Sequence, residues 1–274
     1  MLIGLALGLL WLAVGFLVSR YCLTLRAYAL RSEKLTAAVR IVQLSDLHST
    51  DHGEDLLDMV RAQNPDLIFF TGDLINRWDE DFSVALDVLR SLCDIAPVYV
   101  SMGNHEEHYE KDTAVDLRPI YEETGARVLD KDYVDVEVKG QALRIGGIFG
   151  YCLPNSEFSA RAHESQFLYE FQDTERYTIL LCHMPVCWLI NDSLEFWDVD
   201  CVFSGHAHGG QVVLPLIGGL YAPDQGWFPG ECSGHFETDG KHLIVSTGLG
   251  GTTPVPRFYN LPEVVSVVLT PPEA

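Results

Sequence analysis

Residues 40–48 read Arg-Ile-Val-Gln-Leu-Ser-Asp-Leu-His, a short apolar run that ends in polar residues. The apolar part is typical of a buried strand, because it is brief and rich in aliphatic side chains. Asp46 and His48 come directly after it, and side chains two residues apart lie on the same face of an extended segment. We therefore predict a strand over Arg40–Ser45 that presents two side chains of metal-ligand type on one face at its carboxyl end.

The same pattern recurs downstream. Further strands are predicted over Asp66–Thr71 and Pro97–Ser101. Helical spacing of apolar residues fills the intervals at Glu54–Ala62 and Phe82–Leu92. This β-α-β-α-β order predicts an α/β fold with a parallel sheet covered on both faces. Strands in the second half are predicted at Tyr133–Lys139, Leu143–Phe149, Tyr177–Leu181, Val199–Phe203, His242–Ser246 and Val264–Leu269. Two sheets with outer helices and one long sheet are both compatible with these strands.

Five short polar clusters each begin where a predicted strand ends, at the end of a sheet where α/β proteins place their ligands. The clusters are Asp46-Leu47-His48, Gly72-Asp73, Gly103-Asn104-His105-Glu106, Cys182-His183 and Gly205-His206-Ala207-His208. Each one alone could be an ordinary turn, but five at successive strand ends indicate a metal site. The candidate ligands are Asp46, His48, Asp73, Asn104, His183, His206 and His208. This set of nitrogen and oxygen donors suits Mn, Fe or Zn, and it is large enough for two ions that share a carboxylate.

The order of these clusters resembles that of the calcineurin-like metallophosphoesterases, whose motifs run D-x-H, G-D, G-N-H-[DE], H and G-H-x-H. The resemblance covers about residues 40–270. It is narrower to the membrane-associated bacterial branch that includes YkuE-type phosphoesterases and metal-dependent UDP-2,3-diacylglucosamine hydrolases. The stretches that carry the narrower likeness are Gly205–Gln211, Leu214–Pro229 and Gly248–Pro262. The family resemblance implies a four-layer α/β/β/α sandwich and a metal-dependent phosphoric ester or pyrophosphate hydrolase.

The resemblance also implies a role for each candidate residue. One divalent ion, with Mn favoured, would be held by Asp46, His48, Asp73 and His208. The second ion would be held by Asp73, Asn104, His183 and His206, so that Asp73 bridges the two. His105 matches a catalytic histidine that contacts phosphate and can protonate the leaving group. Many relatives orient that histidine with an Asp at the position that Asn76 occupies here, so this sequence departs from the pattern.

The charge balance excludes one class of function and raises a question about another. The chain has 274 residues, 18 Lys and Arg against 39 Asp and Glu, and a net charge of −21. Nucleic-acid binding is disfavoured because phosphate contacts need a basic face. An anionic substrate would need positive charge from elsewhere, which two divalent ions supply. Such ions also lower the pKa of a bridging water, whose hydroxide can attack phosphorus in line.

The first 18 residues contain no charged side chain, and a helix of that length reaches about 27 Å, enough to cross a bilayer. The bases that follow it are Arg20, Arg26, Arg31, Lys34 and Arg40. By the positive-inside rule we expect a single-pass protein of the cell membrane whose catalytic domain is cytoplasmic. The predicted segments are a transmembrane anchor over 1–19, a basic juxtamembrane linker over 20–39 and the phosphoesterase domain over 40–274. A cleaved signal peptide and a buried core helix are the alternatives.

We therefore expect a two-metal phosphoesterase that hydrolyses a phosphodiester or pyrophosphate bond in a membrane-proximal or lipid-linked substrate. A hydrolase of soluble nucleotides and a catalytically inactive metal-binding scaffold at the membrane are the alternatives. The apolar segment Gly226–Gly230 is predicted to be a packed loop or a lip that touches lipid. No sequence feature indicates an oligomeric state.

Overall fold

The computed structural model describes residues 2–150, 162–190, 193–251 and 256–272. The helices in these ranges are α1 (Leu2–Tyr21), α2 (Gly53–Ala62), α3 (Ser83–Cys93), α4 (Asn104–Thr113), α5 (Leu117–Glu122), α6 (Ala162–Phe171), α7 (Val186–Ile190) and α8 (Ser193–Phe196). The strands are β1 (Thr24–Arg31), β2 (Val39–Leu44), β3 (Leu67–Thr71), β4 (Val98–Ser101), β5 (Arg127–Leu129), β6 (Asp132–Val138), β7 (Gln141–Ile148), β8 (Tyr177–Cys182), β9 (Cys201–Ser204), β10 (Val213–Leu214), β11 (Gly218–Gly219), β12 (Tyr221–Ala222), β13 (Gly226–Trp227), β14 (Gly234–Thr238), β15 (Lys241–Val245) and β16 (Glu263–Thr270).

The strands form two six-stranded sheets and two short hairpins. The first sheet has the order β1-β16-β2-β3-β4-β5, and its β2 to β5 run parallel. The second sheet has the order β14-β15-β9-β8-β7-β6, with β15, β9, β8 and β7 parallel. The hairpins β10–β11 and β12–β13 follow β9. Because the central strands are parallel, their carboxyl ends lie together at one end of each sheet.

Three apolar layers hold the two sheets and the helices together. Alternate residues of the central strands enter different layers, as period-two strands require: Phe70 packs under α2, α3 and α5, while Phe69 faces the other sheet. Between the sheets the rings of Phe69 and Phe203 lie 5.3 Å apart, edge to face. The outer face of the second sheet packs against α6, α7 and α8, where Trp197 is fully buried. The predicted four-layer sandwich is therefore confirmed, with two sheets rather than one.

The strand and helix positions agree with the sequence prediction to within about two residues. The strand predicted over Arg40–Ser45 is Val39–Leu44, and the helix predicted over Phe82–Leu92 is Ser83–Cys93. These elements could be recognised because they are buried on both faces or have a strong apolar stripe.

The segment predicted as a linker over 20–39 is instead part of the first sheet. Its residues Thr24–Arg31 form the edge strand β1, parallel to β16 over eight residue pairs. Only Leu30 of this strand is buried, so its sequence lacks the apolar signal of a central strand. Its bases look like a juxtamembrane strip, but the Nε of Arg26 pairs with the Oε2 of Glu263 at 2.7 Å. The folded domain thus includes residues from Thr24 onward, not from residue 40.

Helix α1 lies on the outside of the sandwich and is exposed over most of its length. It is long and apolar enough to cross a membrane by length and composition. Gly15 and Ser19 are its buried positions, and both face the segment that precedes β16. A helix so exposed is not the buried core helix that the sequence left as an alternative.

Candidate metal centre

The five polar clusters converge at one end of the sandwich, where the carboxyl ends of strands from both sheets meet. Backbone hydrogen bonds tie the loops together: Asp46 N–H donates to Gly72 O at 2.9 Å, and Gly205 N–H donates to His183 O at 3.1 Å. The amide of Gln43 donates to Ser204 O across the two sheets at 2.8 Å. All seven predicted ligands, and His105, are brought together here.

One group of donor atoms belongs to Asp46, His48 and His208. Their ligand atoms all lie within 4.8 Å of one another, and all three residues are buried. The Nε2 of His208 is 3.7 Å from Oδ1 of Asp46. Neither ring nitrogen of His48 has a hydrogen-bond partner among the described residues. A buried imidazole without partners is costly unless its lone pair is used, so this group is suited to a cation.

A second group belongs to Asp73, His183 and His206, again with ligand atoms within 4.8 Å of one another. The Nε2 of His183 lies 3.3 Å from Oδ2 of Asp73 and 3.1 Å from Oδ1 of Asn104. The amide oxygen of Asn104 therefore joins this group, as the sequence predicted.

Asp73 lies between the two groups. Its Oδ2 is 3.8 Å from Nε2 of His48 in the first group and 3.3 Å from Nε2 of His183 in the second. Its Oδ1 accepts the backbone N–H of His105 at 2.8 Å. This hydrogen bond orients the carboxylate so that one oxygen faces both groups.

Hydrogen bonds fix which nitrogen two of the histidines offer. The Nδ1 of His183 lies 2.7 Å from the carbonyl of Thr71, which can only accept, so in the neutral ring Nδ1 carries the proton and Nε2 is the nitrogen that a metal ion would use. The Nε2 of His206 lies 3.0 Å from Oδ2 of Asp224, which leaves Nδ1 free. Such carboxylate and carbonyl partners are what metal-binding histidines usually have behind them. Asp224 lies on the hairpin β12–β13, far from any motif, and sequence reasoning missed it.

The two carboxyl groups of the site are buried, and burial raises the pKa of Asp46. Asp46 and Asp73 are 0% and 1% exposed, and within the described parts of the chain neither forms an ion pair with a Lys or Arg nitrogen. Burial would raise the pKa of Asp73, but the neighbouring His183 brings it well below its usual value. Buried carboxylates are stable only when paired or bound to a metal. The donors are nitrogen and oxygen, so the residues present fit hard or borderline divalent cations such as Mn, Fe or Zn.

The loops reach this arrangement through strained backbone. The left-handed residues among the candidates are Asp46, His48, Asp73, His206 and His208, with φ between 47° and 63°. Positive φ is uncommon outside glycine and concentrates at functional sites. Two glycines allow the loops to approach: a Cβ on Gly103 would collide with Oδ1 of Asp73, and one on Gly72 would lie 2.5 Å from Nδ1 of His183.

Glu106 holds the Asp73 loop in place, a role that the sequence did not reveal even though the residue ends a recognised motif. Its Oε2 accepts the backbone N–H of Asp73 and Gly103 at 2.9 and 2.8 Å. Its Oε1 accepts the N–H of Leu74 at 2.7 Å and the hydroxyl of Tyr121 at 3.1 Å. Burial raises the pKa of Glu106 to about 7. One carboxylate thus joins the loop after β3 to the start of α4.

The hydrogen bond that orients His105 comes from the backbone. The side-chain amide of Asn76, at the position where many relatives have the orienting Asp, donates to His48 O at 2.9 Å. Instead the backbone N–H of Arg77 donates to Nδ1 of His105 at 3.1 Å, so that Nε2 carries the proton of the neutral ring. Burial lowers the pKa of His105, and the Arg77 hydrogen bond also favours the neutral ring. His105 is therefore presented as a hydrogen-bond donor through Nε2.

A C-terminal segment completes the site around His208. The guanidinium of Arg257 is buried, lies 3.5 Å from Nδ1 of His208 and donates to the carbonyls of Thr247 and Gly250, both at 2.5 Å. The amide of Asn260 donates to His208 O at 2.5 Å. These residues position His208 from the side where α1 lies.

Comparison with known proteins agrees with this geometry. A family profile described as calcineurin-like phosphoesterase matches residues 39–210. The metallophosphoesterase YkuE of Bacillus subtilis is 31% identical over 238 residues, covering 84% of this chain and 78% of that protein. The phosphodiesterase YaeI of Escherichia coli is 26% identical and covers 68% of this chain and 67% of its own length. The UDP-2,3-diacylglucosamine pyrophosphatase LpxG of Chlamydia muridarum is 26% identical, covering 82% of both chains.

We expect Glu106→Ala to lower the free energy of unfolding by about 2–5 kcal/mol, because buried backbone N–H groups lose their acceptor. Glu107→Ala is the matched control: it removes the exposed carboxylate next along α4 and should change stability by no more than about 0.5 kcal/mol. Urea unfolding of both variants measures the difference. Equal stability of the two would contradict the role of Glu106.

Proposed function

Because the chain belongs to the calcineurin-like phosphoesterase family, we propose that it uses two divalent metal ions to hydrolyse a phosphodiester or pyrophosphate bond in a lipid-linked, membrane-proximal substrate. The chain is a phosphoric ester hydrolase with clusters of metal-binding residues. We propose four further points: the phosphodiester or pyrophosphate bond that is cleaved, the use of two ions, the lipid-linked substrate and the membrane location. The observation that carries the substrate class is an apolar pocket directly beside His208.

In this proposal one ion is bound by Asp46, His48, Asp73 and His208, and the second by Asp73, Asn104, His183 and His206. The support is that the two groups of donor atoms meet at Oδ2 of Asp73. Mn is the favoured metal, since carboxylate, amide and imidazole donors suit it and no thiolate is among them. Cys182, although it precedes His183, is directed away and donates its S–H to Met184 O.

When bound, the two ions supply positive charge for the phosphate oxygens and lower the pKa of a water that they share. The protein positions everything else. Asp73 faces both groups of donor atoms, and the hydrogen bonds from its loop to the Glu106 carboxylate hold it there. His105 offers Nε2–H beside them, its ring lying 4.6 Å from that of His48. We assign to His105 a hydrogen bond from Nε2 to a phosphate or leaving-group oxygen in the transition state.

The pocket next to His208 supports a lipid-linked substrate. It has a volume of about 330 Å³, and it reaches from His208 along the two hairpins that follow β9. Its walls include Val212, Leu220, Tyr221, Pro223 and Trp227. Burying apolar surface of a ligand against apolar walls is favourable, so an acyl or prenyl chain beside the phosphate fits this pocket better than a nucleoside alone. The relative LpxG is named for a substrate that carries both acyl chains and a pyrophosphate.

Helix α1 supports the membrane location. The helix is hydrogen-bonded to the folded domain, because Ser19 Oγ, which donates to Gly15 O at 2.8 Å, accepts the N–H of Asn260 at 3.1 Å. Cleavage of α1 as a signal peptide would leave the buried N–H of Asn260 without this hydrogen-bond acceptor. The exposed Arg20 at the end of the helix, with the bases of β1, favours a cytoplasmic catalytic domain. A carboxyl-terminal alkaline phosphatase fusion that is active outside the cytoplasm would overturn this orientation.

Substrate preference tests the proposal. With Mn²⁺, UDP-2,3-diacylglucosamine should be hydrolysed with a higher kcat/KM than UDP-N-acetylglucosamine, which has the same pyrophosphate but no long chain. Leu220→Asn places an amide of similar size in the pocket wall. It should lower kcat/KM for the acylated substrate by about 10- to 100-fold, since a buried leucine side chain is worth ~1.5–3 kcal/mol.

Bis-p-nitrophenyl phosphate is the control substrate, because it does not fill the pocket, and Leu220→Asn should leave its turnover unchanged. Equal use of both sugar nucleotides, with no effect of Leu220→Asn, would instead favour a hydrolase of soluble nucleotides. No turnover of any of these substrates with Mn²⁺, Fe²⁺ or Zn²⁺ would favour the inactive scaffold.

His105→Ala should lower kcat by about 10²-fold, near the lower end of the range for a lost proton donor, and should keep the metal content of the wild type. His105→Gln, whose amide can donate from nearly the same place as Nε2, should recover part of that loss. Steady-state kinetics and metal analysis of both variants measure this. If His105→Gln recovers none of the lost kcat, and only esters with poor leaving groups are slowed, then His105 transfers a proton to the leaving group and does not merely donate a hydrogen bond.

A further inference from the structure

Helix α1 is not a free tether. Its 20 residues correspond to about 30 Å, the thickness of the hydrocarbon core. The domain nevertheless contacts one side of its second half. The rings of Trp11 and Phe16 each lie 5.0 Å from that of Phe258, and the hydroxyl of Tyr259 donates to Trp11 O at 3.1 Å. A Cβ on Gly15 would collide with the ring of Phe258.

This contact places more than half of α1 alongside the domain. Trp11 to Tyr21 accounts for about 16.5 Å of the helix, against about 13.5 Å for Leu2 to Leu10. If α1 is embedded, the surface around Phe258 and Tyr259 must therefore lie at the membrane interface or below it. A catalytic domain held above the membrane by a linker does not fit this geometry.

The surface next to Phe258 has the composition that such a position requires. Val213 N–H donates to Phe258 O at 2.8 Å, and the hairpins β10–β11 and β12–β13 continue from there. We call residues 213–228 the lip. Its exposed apolar side chains are Leu216, Ile217, Trp227 and Phe228, between 60% and 108% exposed. Asp224 is the only charged residue in this stretch of an otherwise acidic chain, and its carboxylate is taken up by His206.

We propose that the lip inserts into the bilayer leaflet beside α1, so that the apolar pocket opens directly into lipid. A bilayer is favoured as the occupant because the lip continues the surface of an apolar helix, and because Tyr221 and Trp227, 5.5 Å apart, are the residue types found at membrane interfaces. The pocket then runs from His208 to Trp227, so an amphiphile can enter sideways without leaving the membrane. This inference rests on the proposed membrane anchor.

Tryptophan quenching by brominated lipid tests the insertion. Full-length protein is reconstituted in vesicles of phosphatidylethanolamine and phosphatidylglycerol, with and without bromine on the acyl chains. The emission lost in Trp227→Phe isolates Trp227, and that lost in Trp11→Phe isolates the anchor. The control is Tyr169→Trp, which adds a partly exposed indole packed on Trp197, at the end of the second sheet opposite the metal centre.

Bromolipid should quench the emission of Trp227 and Trp11 but not that of the tryptophan at position 169. Leu216→Glu should reduce the quenching of Trp227 several-fold, whereas Ile190→Glu, at an exposed position on α7, should not. Both variants should keep wild-type turnover of bis-p-nitrophenyl phosphate. Quenching of Trp11 without quenching of Trp227 would overturn the lip insertion and leave the anchor intact. Quenching of neither would overturn both.

Discussion

Two carboxylates, Asp46 and Asp73, are buried at the junction of the two sheets without a lysine or arginine ion pair among the described residues. Their burial accounts for the histidines that surround them and for the way the loops that carry them are held. Buried anions need compensation, and here the neighbours are histidines whose proton positions are set by Thr71 and Asp224. The left-handed backbone of the loops has a cost, which the hydrogen bonds of Glu106 and the hydrophobic layers below offset.

The same residues connect the metal centre to the outside of the molecule. Asp224 belongs to a lip hairpin and orients His206, while the side-chain amide of Asn260 donates to His208 O and its backbone N–H donates to Oγ of Ser19 in α1. One short segment thus contacts both the helix and the site. The position of α1 and the position of the candidate metal centre are therefore fixed relative to each other, which a flexible linker would not achieve.

The central strands and the motif residues could be predicted from the sequence, because strands buried on both faces are continuous apolar runs and the ligands directly follow them. The edge strand β1 could not, since burial of Leu30 alone leaves little pattern. The roles of Glu106 and Asp224 depend on contacts between residues about 30 and 18 positions apart. The sequence departs at Asn76 from the pattern that orients this histidine in many relatives, and the backbone N–H of Arg77, which no side-chain identity reveals, donates to the ring of His105.

If two metal ions share Asp73, its substitution should release more metal than substitution of a residue that binds one ion, and the metal content of the variants measures this. Wild type, Asp46→Asn and Asp73→Asn are loaded with Mn²⁺, freed of excess metal by gel filtration and measured by mass spectrometry of the elements. We expect two ions per chain in the wild type, one in Asp46→Asn and less than one in Asp73→Asn, because Oδ2 of Asp73 faces histidines of both groups of donors. Two ions retained in Asp73→Asn, or equal losses in the two variants, would contradict it.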